Sequence, residues 1–365
     1  MNVECLKDKF HKAVFLSERH ISREAHNPIL QGINIEAKNN LLNIRATNLD
    51  TGFEIYVPAA VKIPGNIVIP AKSFLSLISS LSGDKIKLEG KQNTLFLKTE
   101  TSSSIIKGYP ADDFPPFPKI NKTKSIEIPH ENISGYFSKV LLASATSEIK
   151  PEISSLYMQI HKNRIKLAAT DSFRLAEKVI EFKNESTYSL LFPYKHMIEL
   201  VKILENINEP LTLSFNDTQA VFFSKSFSFI TRLKEGSFPN YENIIPSSFS
   251  TEVKLKKAEL VNSLKLASIF SSRLKEVHFN VYPEDGLFEA TTKSTEIGEH
   301  ISHMKAEVTG ERLSAVFNYN YVMDGVLAIS SDEILLRFNG DSKPVMLQSP
   351  FDASYIYLAM PMKNV

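Results

Sequence analysis

The chain has 365 residues, of which 43% are hydrophobic and 23% are charged, and its formal net charge is +1. These proportions are ordinary for a soluble globular protein of two or three domains. No stretch approaches about 18 consecutive apolar residues, which excludes a membrane-spanning helix, and the single cysteine, Cys5, excludes an intramolecular disulfide and suits a reducing compartment.

Apolar residues recur at helical spacing in six segments, so the sequence predicts six helices, each with one apolar stripe and one polar face. The N-terminal segment contains several basic residues but no long apolar run, and we therefore expect no secretory signal there. The first two stripes are Phe10, Ala13, Val14, Ser17, Ile21 and Phe74, Leu77, Ile78, Leu81. The other four are Ile133, Phe137, Val140, Leu141; Met197, Ile198, Val201, Leu204; Leu260, Leu264, Ala267; and Tyr321, Val322, Gly325, Val326.

Short segments between these helices are rich in β-branched and aromatic residues, as at 95–97, 165–168 and 221–223, and they predict strands. Two proline-containing segments, 110–118 and 235–246, predict extended connectors, because proline fixes φ and lacks an N–H. The alternation of helices and short strands indicates an α+β fold, in which helices pack on antiparallel sheet.

The chain also repeats itself. Ile69-Pro70-Ala71-Lys72 has a counterpart in Phe192-Pro193-Tyr194-Lys195, 123 residues further on, and in Phe317-Asn318-Tyr319-Asn320, another 125 residues on. Phe114-Pro115 recurs as Phe238-Pro239 after 124 residues. A period this long corresponds to a whole domain rather than to a solenoid unit. We therefore predict three copies of one α+β domain, each with two helices, at residues 1–121, 122–248 and 249–365.

Four motifs on this repeat resemble a known family. Ala169-Thr170-Asp171-Ser172-Phe173-Arg174-Leu175-Ala176 resembles the Ala-Thr-Asp-Gly-His-Arg-Leu-Ala signature of bacterial sliding clamps, the β subunit of DNA polymerase III. Gly236-Ser237-Phe238-Pro239-Asn240-Tyr241 resembles Gly-x-Phe-Pro-Asp-Tyr of the same family, and Met360-Pro361-Met362-Lys363 resembles its C-terminal Met-Pro-Met-Arg. Asn27-Pro28-Ile29-Leu30 matches as well. The motifs keep the family's order over nearly the whole chain.

The resemblance implies a non-catalytic DNA polymerase processivity factor in the cytoplasm that needs no cofactor and no metal. It implies a head-to-tail homodimeric ring of six similar domains that encircles duplex DNA, is placed there by a clamp loader, and tethers the replicative polymerase and other proteins. Such partners dock through a short peptide, a Gln head residue followed by apolar and aromatic residues, into a cleft between the second and third domains. The positions that match this cleft are Ile153, Thr170, Ser172, Phe173, Arg174, Leu175, Pro239, Asn243, Ile244, Tyr321, Met360, Pro361 and Met362.

This chain departs from the family at the rim of the cleft, where Ser172 and Phe173 replace Gly and His, and at Glu152, where the family has an aliphatic or aromatic residue. The resemblance further implies a dimer interface in which two residues of the first domain face two of the partner's third domain: Phe74 and Leu77, opposite Ile269 and Phe270.

Contact with DNA is expected to be with phosphate and independent of sequence, because no base-reading motif accompanies the basic residues. Lys72 and Lys195 occupy equivalent positions of two repeats, and Arg23 and Lys150 lie beside the repeated helices and loops.

Two other classes of function stay open at this point. A scaffold could bind peptides without encircling DNA. An enzyme could use the acidic pair Asp112 and Asp113, although adjacent residues of an extended segment point to opposite sides. His300 and His303 are two ligands and thus too few for a metal site, and no Gly-rich phosphate loop is present.

Overall fold

The computed structural model describes residues 1–23, 27–117, 120, 123–129, 131–183 and 185–362. These residues form six α-helices, as the apolar periodicity predicts. The helices are α1 (Lys7–Glu18), α2 (Ala71–Ser80), α3 (Ile133–Leu141), α4 (Tyr194–Asn206), α5 (Lys257–Phe270) and α6 (Tyr319–Ala328). None of them is long and apolar enough to cross a membrane.

The described residues also form 25 strands. Those of the first predicted domain are β1 (Asn2–Leu6), β2 (Gly32–Lys38), β3 (Leu41–Thr47), β4 (Thr51–Ile63), β5 (Gly65–Pro70), β6 (Lys85–Lys91), β7 (Thr94–Lys98) and β8 (Ser103–Lys107). Those of the second are β9 (Lys124–Ile128), β10 (Ser155–His161), β11 (Arg164–Thr170), β12 (Arg174–Glu181), β13 (Tyr188–Pro193), β14 (Leu211–Phe215), β15 (Gln219–Phe223) and β16 (Phe227–Arg232). Those of the third are β17 (Thr251–Lys256), β18 (Glu276–Tyr282), β19 (Leu287–Ser294), β20 (Gly298–Lys305), β21 (Glu307–Gly310), β22 (Leu313–Asn318), β23 (Glu333–Phe338), β24 (Val345–Gln348) and β25 (Tyr355–Ala359).

The residues that precede three of the helices suit a helix N-terminus. Pro70 and Pro193 directly precede the first residues of α2 and α4, where a missing N–H is harmless. Asn318 caps α6, because its side chain accepts a hydrogen bond from the backbone N–H of Asn320. The proline-containing connectors are not wholly extended. Each includes one short 3-10 turn, Ala111–Asp113 and Glu242–Ile244, while Pro118 lies outside the described residues.

The chain divides into two compact units, and the second repeat contributes to both. The first unit comprises residues 1–134 and 195–233, and it contains one 12-stranded sheet with the order β8-β7-β6-β1-β4-β16-β15-β14-β9. Off this path, β3 pairs with β4, β2 with β3, and β5 with β2. The antiparallel pair β4–β16 continues the sheet from the first repeat into the second. Strands such as β14 alternate buried and half-buried residues, which is the period-two pattern of a sheet covered on one face.

The second unit comprises residues 135–194 and 234–365. It contains a nine-stranded sheet with the order β13-β10-β11-β12-β25-β24-β23-β17-β21 and a four-stranded sheet with the order β20-β19-β18-β22. The antiparallel pair β12–β25 joins the second repeat to the third, and it matches the role of β4–β16 in the first unit. Two of the predicted cleft residues, Arg174 and Leu175, lie on β12 of this pair.

Candidate functional site

The floor of the site is an apolar cluster built on β11, β12, β24 and β25 of the second unit. Leu175 on β12 lies opposite Leu358 on β25 in the strand register. The buried members of the cluster are Ala168, Leu175, Tyr241, Met346, Ile356 and Leu358, with Tyr157, Phe238, Ile245 and Phe249 packed against them. Leu175 is therefore the predicted cleft residue that reaches deepest into the core.

The turn between β11 and β12 forms the rim. The hydroxyl of Thr170 donates to the carbonyl of Arg174 at 2.7 Å and accepts from the backbone N–H of Ser172 at 3.1 Å. The Oδ1 of Asp171 accepts from the N–H groups of Phe173 at 2.9 Å and Arg174 at 3.0 Å. Ser172 has a φ of 79°, in the left-handed region that glycine adopts without strain. These bonds fix the turn and direct the Phe173 side chain outward, where 60% of it is exposed.

Arg174 is the electrostatic centre of the site. Its guanidinium donates to Asp171 at 2.9 Å and to Asp324 on α6 at 2.5 Å, and it lies 4.7 Å from the centre of the Tyr321 ring. Burial on its own lowers the pKa of Arg174, but the neighbouring Tyr357 and Asp171 outweigh it and raise the pKa. Burial also raises the pKa of the Tyr357 phenol, and the nearby guanidinium opposes that shift. At neutral pH the site therefore holds a fixed cation between two carboxylates.

The C-terminal segment forms a further wall. The backbone N–H of Met360 donates to the carbonyl of Phe173 at 2.8 Å, and that of Met362 donates to the carbonyl of Val316 on β22 at 2.7 Å. Met360, Pro361 and Met362 are all half-buried, so each presents part of its side chain at the surface. Because methionine side chains are flexible and polarizable, such a wall can repack around different ligands. Lys363, the last residue of the predicted motif, lies outside the described residues.

The connector after β16, residues 235–246, supplies exposed residues beside the apolar cluster. Pro239, Asn243 and Ile244 are exposed, and their chain neighbours Phe238 and Ile245 pack against the apolar cluster. Ile153 behaves differently. It is buried, and its carbonyl accepts from the backbone N–H of Ala145 at 3.2 Å. The hydrogen bonds described for Ile153 thus tie down the loop after α3 rather than the floor of the site.

Some residues of the site are not predicted by the sequence. Asp171 lies inside the signature motif, but the motif alone assigns it no role, and Asp324 could have been found as the residue three positions after Tyr321 on the same helical face. Met346 carries no local signal, because it joins the cluster only through the pairing of β24 with β25.

The four predicted DNA contacts are exposed cationic positions. Arg23 follows α1, Lys72 lies in the first turn of α2, and Lys195 lies in the first turn of α4. Lys150 lies in the loop after α3. Lys72 and Lys195 thus occupy the same place in their helices, as the repeat predicts.

The predicted dimer residues divide into core and surface. Phe74 is fully buried, and its ring is edge-on to that of Phe10 with 5.8 Å between centroids. It belongs to the core of its own unit, so the expectation that Phe74 contacts a partner is wrong. Leu77 is half-buried, and Ile269 is 59% exposed. Phe270 stacks on His300 with 5.6 Å between ring centroids.

The alternative sites receive little support from geometry. Asp112 and Asp113 are both exposed in the 3-10 turn. His300 bonds to Ser302 and His303 to Glu289, each at 2.8 Å. Across the part of the chain that the structure describes, no three His, Cys, Asp or Glu side chains cluster in a way that could hold a metal ion.

The sequence and the fold are similar to proteins of one family. The chain matches the DNA polymerase III beta subunit in three stretches, its N-terminal domain at residues 1–118, its central domain at 127–240 and its C-terminal domain at 242–363. It is 25% identical to the beta sliding clamp of Bacillus subtilis over 372 residues, 98% of each chain, and 27% identical to that of Staphylococcus epidermidis over 348 residues, 92% of each. The solved beta subunit of DNA polymerase III from Thermotoga maritima has a TM-score of 0.93 and 25% identity, and the similarity covers 100% of both chains. The two later matched stretches contain every predicted cleft residue.

Proposed function

We propose that this chain, which belongs to the DNA polymerase III beta subunit family, is a DNA polymerase processivity factor that encircles duplex DNA and tethers the replicative polymerase. The observation that carries the proposal is the site of the second unit, where an apolar floor, a fixed cation and a methionine-rich wall meet on one surface. Such a surface suits the docking of a short peptide, so the chain is proposed to act by holding other proteins on DNA rather than by catalysis.

Peptide docking follows from the chemistry of this surface. Leu175 and the neighbouring cluster can accept an apolar anchor side chain, which is the kind of contact that dominates binding energy. Arg174 is held by Asp171 and Asp324, so it is preorganised before a ligand arrives. The partners proposed for this cleft are the replicative polymerase, the clamp loader and other proteins that share one docking motif.

The ring itself is the second part of the proposal. Three similar domains per chain, at 1–121, 122–248 and 249–365, require a second copy to complete six, and a head-to-tail contact closes when the rotation permits. Leu77, Ile269 and Phe270 are the proposed surface contacts of that dimer. Arg23, Lys72, Lys150 and Lys195 are proposed to meet phosphate oxygens, which position a protein without reading sequence. As a replication protein the chain is proposed to act in the cytoplasm, with no cofactor.

The test of this function is topological. The purified protein is loaded with a clamp loader onto a nicked circular duplex that carries one restriction site, and bound protein is separated from free protein by gel filtration. We expect the protein to stay with the circle and to be released once the circle is cut, because a ring slides off a free end. A circle without the restriction site, treated with the same enzyme, is the control. Equal retention before and after cutting would favour the peptide-binding scaffold that does not encircle DNA and would overturn the proposal.

A further inference from the structure

A large aromatic side chain stands exposed at the rim of the cleft. Phe173 is 60% exposed, although a phenylalanine of a globular protein is ordinarily buried. Its ring lies 6.5 Å from the Tyr321 ring with an interplanar angle of 22°, a stacked arrangement. The guanidinium of Arg174 also lies near the Tyr321 ring, 4.7 Å from its centroid. Tyr321 therefore has both a cation and an aromatic ring beside it, and the aromatic ring is exposed.

The backbone on both sides of this ring is fixed. The N–H of Phe173 donates to the Oδ1 of Asp171 at 2.9 Å, and the Phe173 carbonyl accepts from the N–H of Met360 at 2.8 Å. Near the Tyr321 ring, Arg174 is held by two carboxylates, those of Asp171 and Asp324. A ligand that binds the outer ring thus meets a preorganised surface and loses little free energy in ordering it.

The fold does not require an aromatic residue at this position, because the same turn occurs elsewhere in the chain. Between β3 and β4 the hydroxyl of Thr47 donates to the carbonyl of Thr51 at 2.7 Å and accepts from the N–H of Leu49 at 3.0 Å. The φ of Leu49 is 75°, close to the 79° of Ser172. The residue that corresponds to Phe173 in this first turn is Asp50, which is exposed. The aromatic ring of Phe173 is therefore an addition to the turn, and its use lies outside folding.

We infer that the Phe173 ring selects docking peptides whose head residue is aromatic rather than glutamine. This inference rests on the proposed function of the cleft. Phenylalanine has neither a donor nor an acceptor on its side chain, so the face of a glutamine that covers this ring loses hydrogen bonds to water and gains none from Phe173. An aromatic head residue can pair with the exposed ring of Phe173 and cover it. The apolar anchors of the peptide still dock at the apolar cluster around Leu175.

The experiment compares two peptides that are identical except for the head residue, one with Gln and one with Phe, followed by the same apolar and aromatic anchors. Both are titrated into wild type, Phe173→Ala, Phe173→His and Leu175→Ala by fluorescence anisotropy. We expect wild type to bind the Phe-headed peptide about 2- to 12-fold more tightly, the range that one aromatic pair contributes. Phe173→Ala should bring the two affinities together, and Phe173→His should favour the Gln-headed peptide, because imidazole can bond to a carboxamide.

The possible outcomes distinguish a failure of this inference about Phe173 from a failure of the proposed peptide docking. If the ratio of the two affinities is the same in wild type and Phe173→Ala, the selecting role of Phe173 is overturned while the cleft stands. If neither peptide binds wild type, or if Leu175→Ala leaves both affinities unchanged, docking at this cleft fails and the inference fails with it. Circular dichroism of both Phe173 variants checks the fold, and the Asp50 turn shows that the backbone accepts a small polar residue there.

Discussion

The phenol of Tyr241 donates a hydrogen bond to the carboxylate of Glu177, and both side chains are buried. Glu177 lies two residues after Leu175 on β12, so it faces the same side of the sheet as the floor of the cleft. Burial, and then the carboxylate, raise the pKa of Tyr241, which keeps the phenol a donor over the whole physiological range. The bond thus connects the connector after β16 to the strand that carries the cleft.

In the first repeat, the buried carboxylate at the equivalent position has different hydrogen-bond partners. Glu54 occupies the place of Glu177, 123 residues earlier, and it is also buried. The corresponding connector residue is Phe117, which has no hydroxyl, and Glu54 instead accepts from Asn43 and Arg45, each at 2.6 Å. Both repeats therefore satisfy a buried carboxylate, as the cost of leaving it unpaired demands.

We predict that Tyr241→Phe lowers the free energy of unfolding by about 1–3 kcal/mol, the cost of a buried acceptor left without its donor. Urea denaturation measures the difference. Tyr157→Phe is the matched control, because its hydroxyl bonds only to exposed Ser189 at 3.3 Å, and it should cost less than about 0.5 kcal/mol. If the two variants are equally stable, the bond to Glu177 has no structural role.

A second prediction concerns acid stability. The His20 ring is fully buried between Phe53 and Phe229, with centroids 4.8 and 5.3 Å away, and neither ring nitrogen has a hydrogen-bond partner among the described residues. Burial, and then Arg19 and His196, lower the pKa of His20 from 6.5 to about 3. Between pH 6.5 and about 3, the unfolded chain therefore binds a proton at His20 that the folded chain does not bind. The stability from neutral His20 is complete above pH 6.5 and is lost as the pH falls toward 3.

The slope of unfolding free energy against pH should approach about 1.4 kcal/mol per unit for this one group. In His20→Leu this contribution disappears, and the variant should lose less stability than wild type between pH 6.5 and about 4. Thermal or urea unfolding at several pH values checks the prediction. Parallel pH profiles for wild type and His20→Leu would contradict it.

The sequence predicted the elements of this fold better than their assembly. Helical periodicity identified all six helices because each buries one stripe. The family resemblance implied that Phe74 faces a partner, whereas its ring packs on Phe10 inside the unit. The repeat gave no sign that hydrogen bonds between β4 and β16, and between β12 and β25, would join neighbouring repeats into continuous sheets. Such pairings depend on strand order, which periodicity does not encode.

In the candidate site too, the sequence predicted local groups of residues better than contacts between distant ones. Residues within one motif, such as Thr170 and Arg174, are brought together by the turn that the motif forms, so the family resemblance could name them together. The ion pair of Arg174 with Asp324 joins positions 150 residues apart and exists only because α6 packs beside β25. The resemblance therefore indicated which residues form the candidate site, and the fold decided how its charges are balanced.

For the proposed dimer, we predict that the double substitution Ile269→Ala and Phe270→Ala shifts the protein toward monomer. Apolar side chains buried at an interface contribute roughly 1.5–3 kcal/mol each, so truncating two should raise the dissociation constant by several orders of magnitude. Sedimentation equilibrium over a dilution series measures it. Ile149→Ala is the control, because Ile149 is 89% exposed in a loop that is not proposed for the interface. A double variant that stays dimeric at nanomolar concentration would refute these contacts.

For the proposed DNA contacts, we predict a weak and salt-dependent interaction with no sequence preference. Changing Arg23, Lys72, Lys150 and Lys195 to Ala should weaken binding, and each cation removed from a phosphate should reduce the slope of log affinity against log salt by about one unit. Binding isotherms at several salt concentrations on two unrelated duplexes measure both properties. The sedimentation profile should be unchanged by the four substitutions. A wild-type preference for one duplex, or an unchanged slope in the variant, would argue against phosphate binding by these residues.

The C-terminal wall gives the last prediction. Deleting residues 361–365 removes the hydrogen bond from the N–H of Met362 to the carbonyl of Val316, together with the Pro361 and Met362 side chains. Peptide affinity should fall roughly fivefold or more, since truncating one central anchor typically costs above about 1 kcal/mol. Deleting only residues 363–365, which lie outside the described part of the chain, keeps the bond to Val316 and serves as the matched control. Calorimetric titration of one docking peptide into wild type and the two truncated proteins shows whether residues 361 and 362 contribute to peptide binding. Circular dichroism verifies the fold of each protein. Equal affinity in all three proteins would place the peptide elsewhere on the molecule.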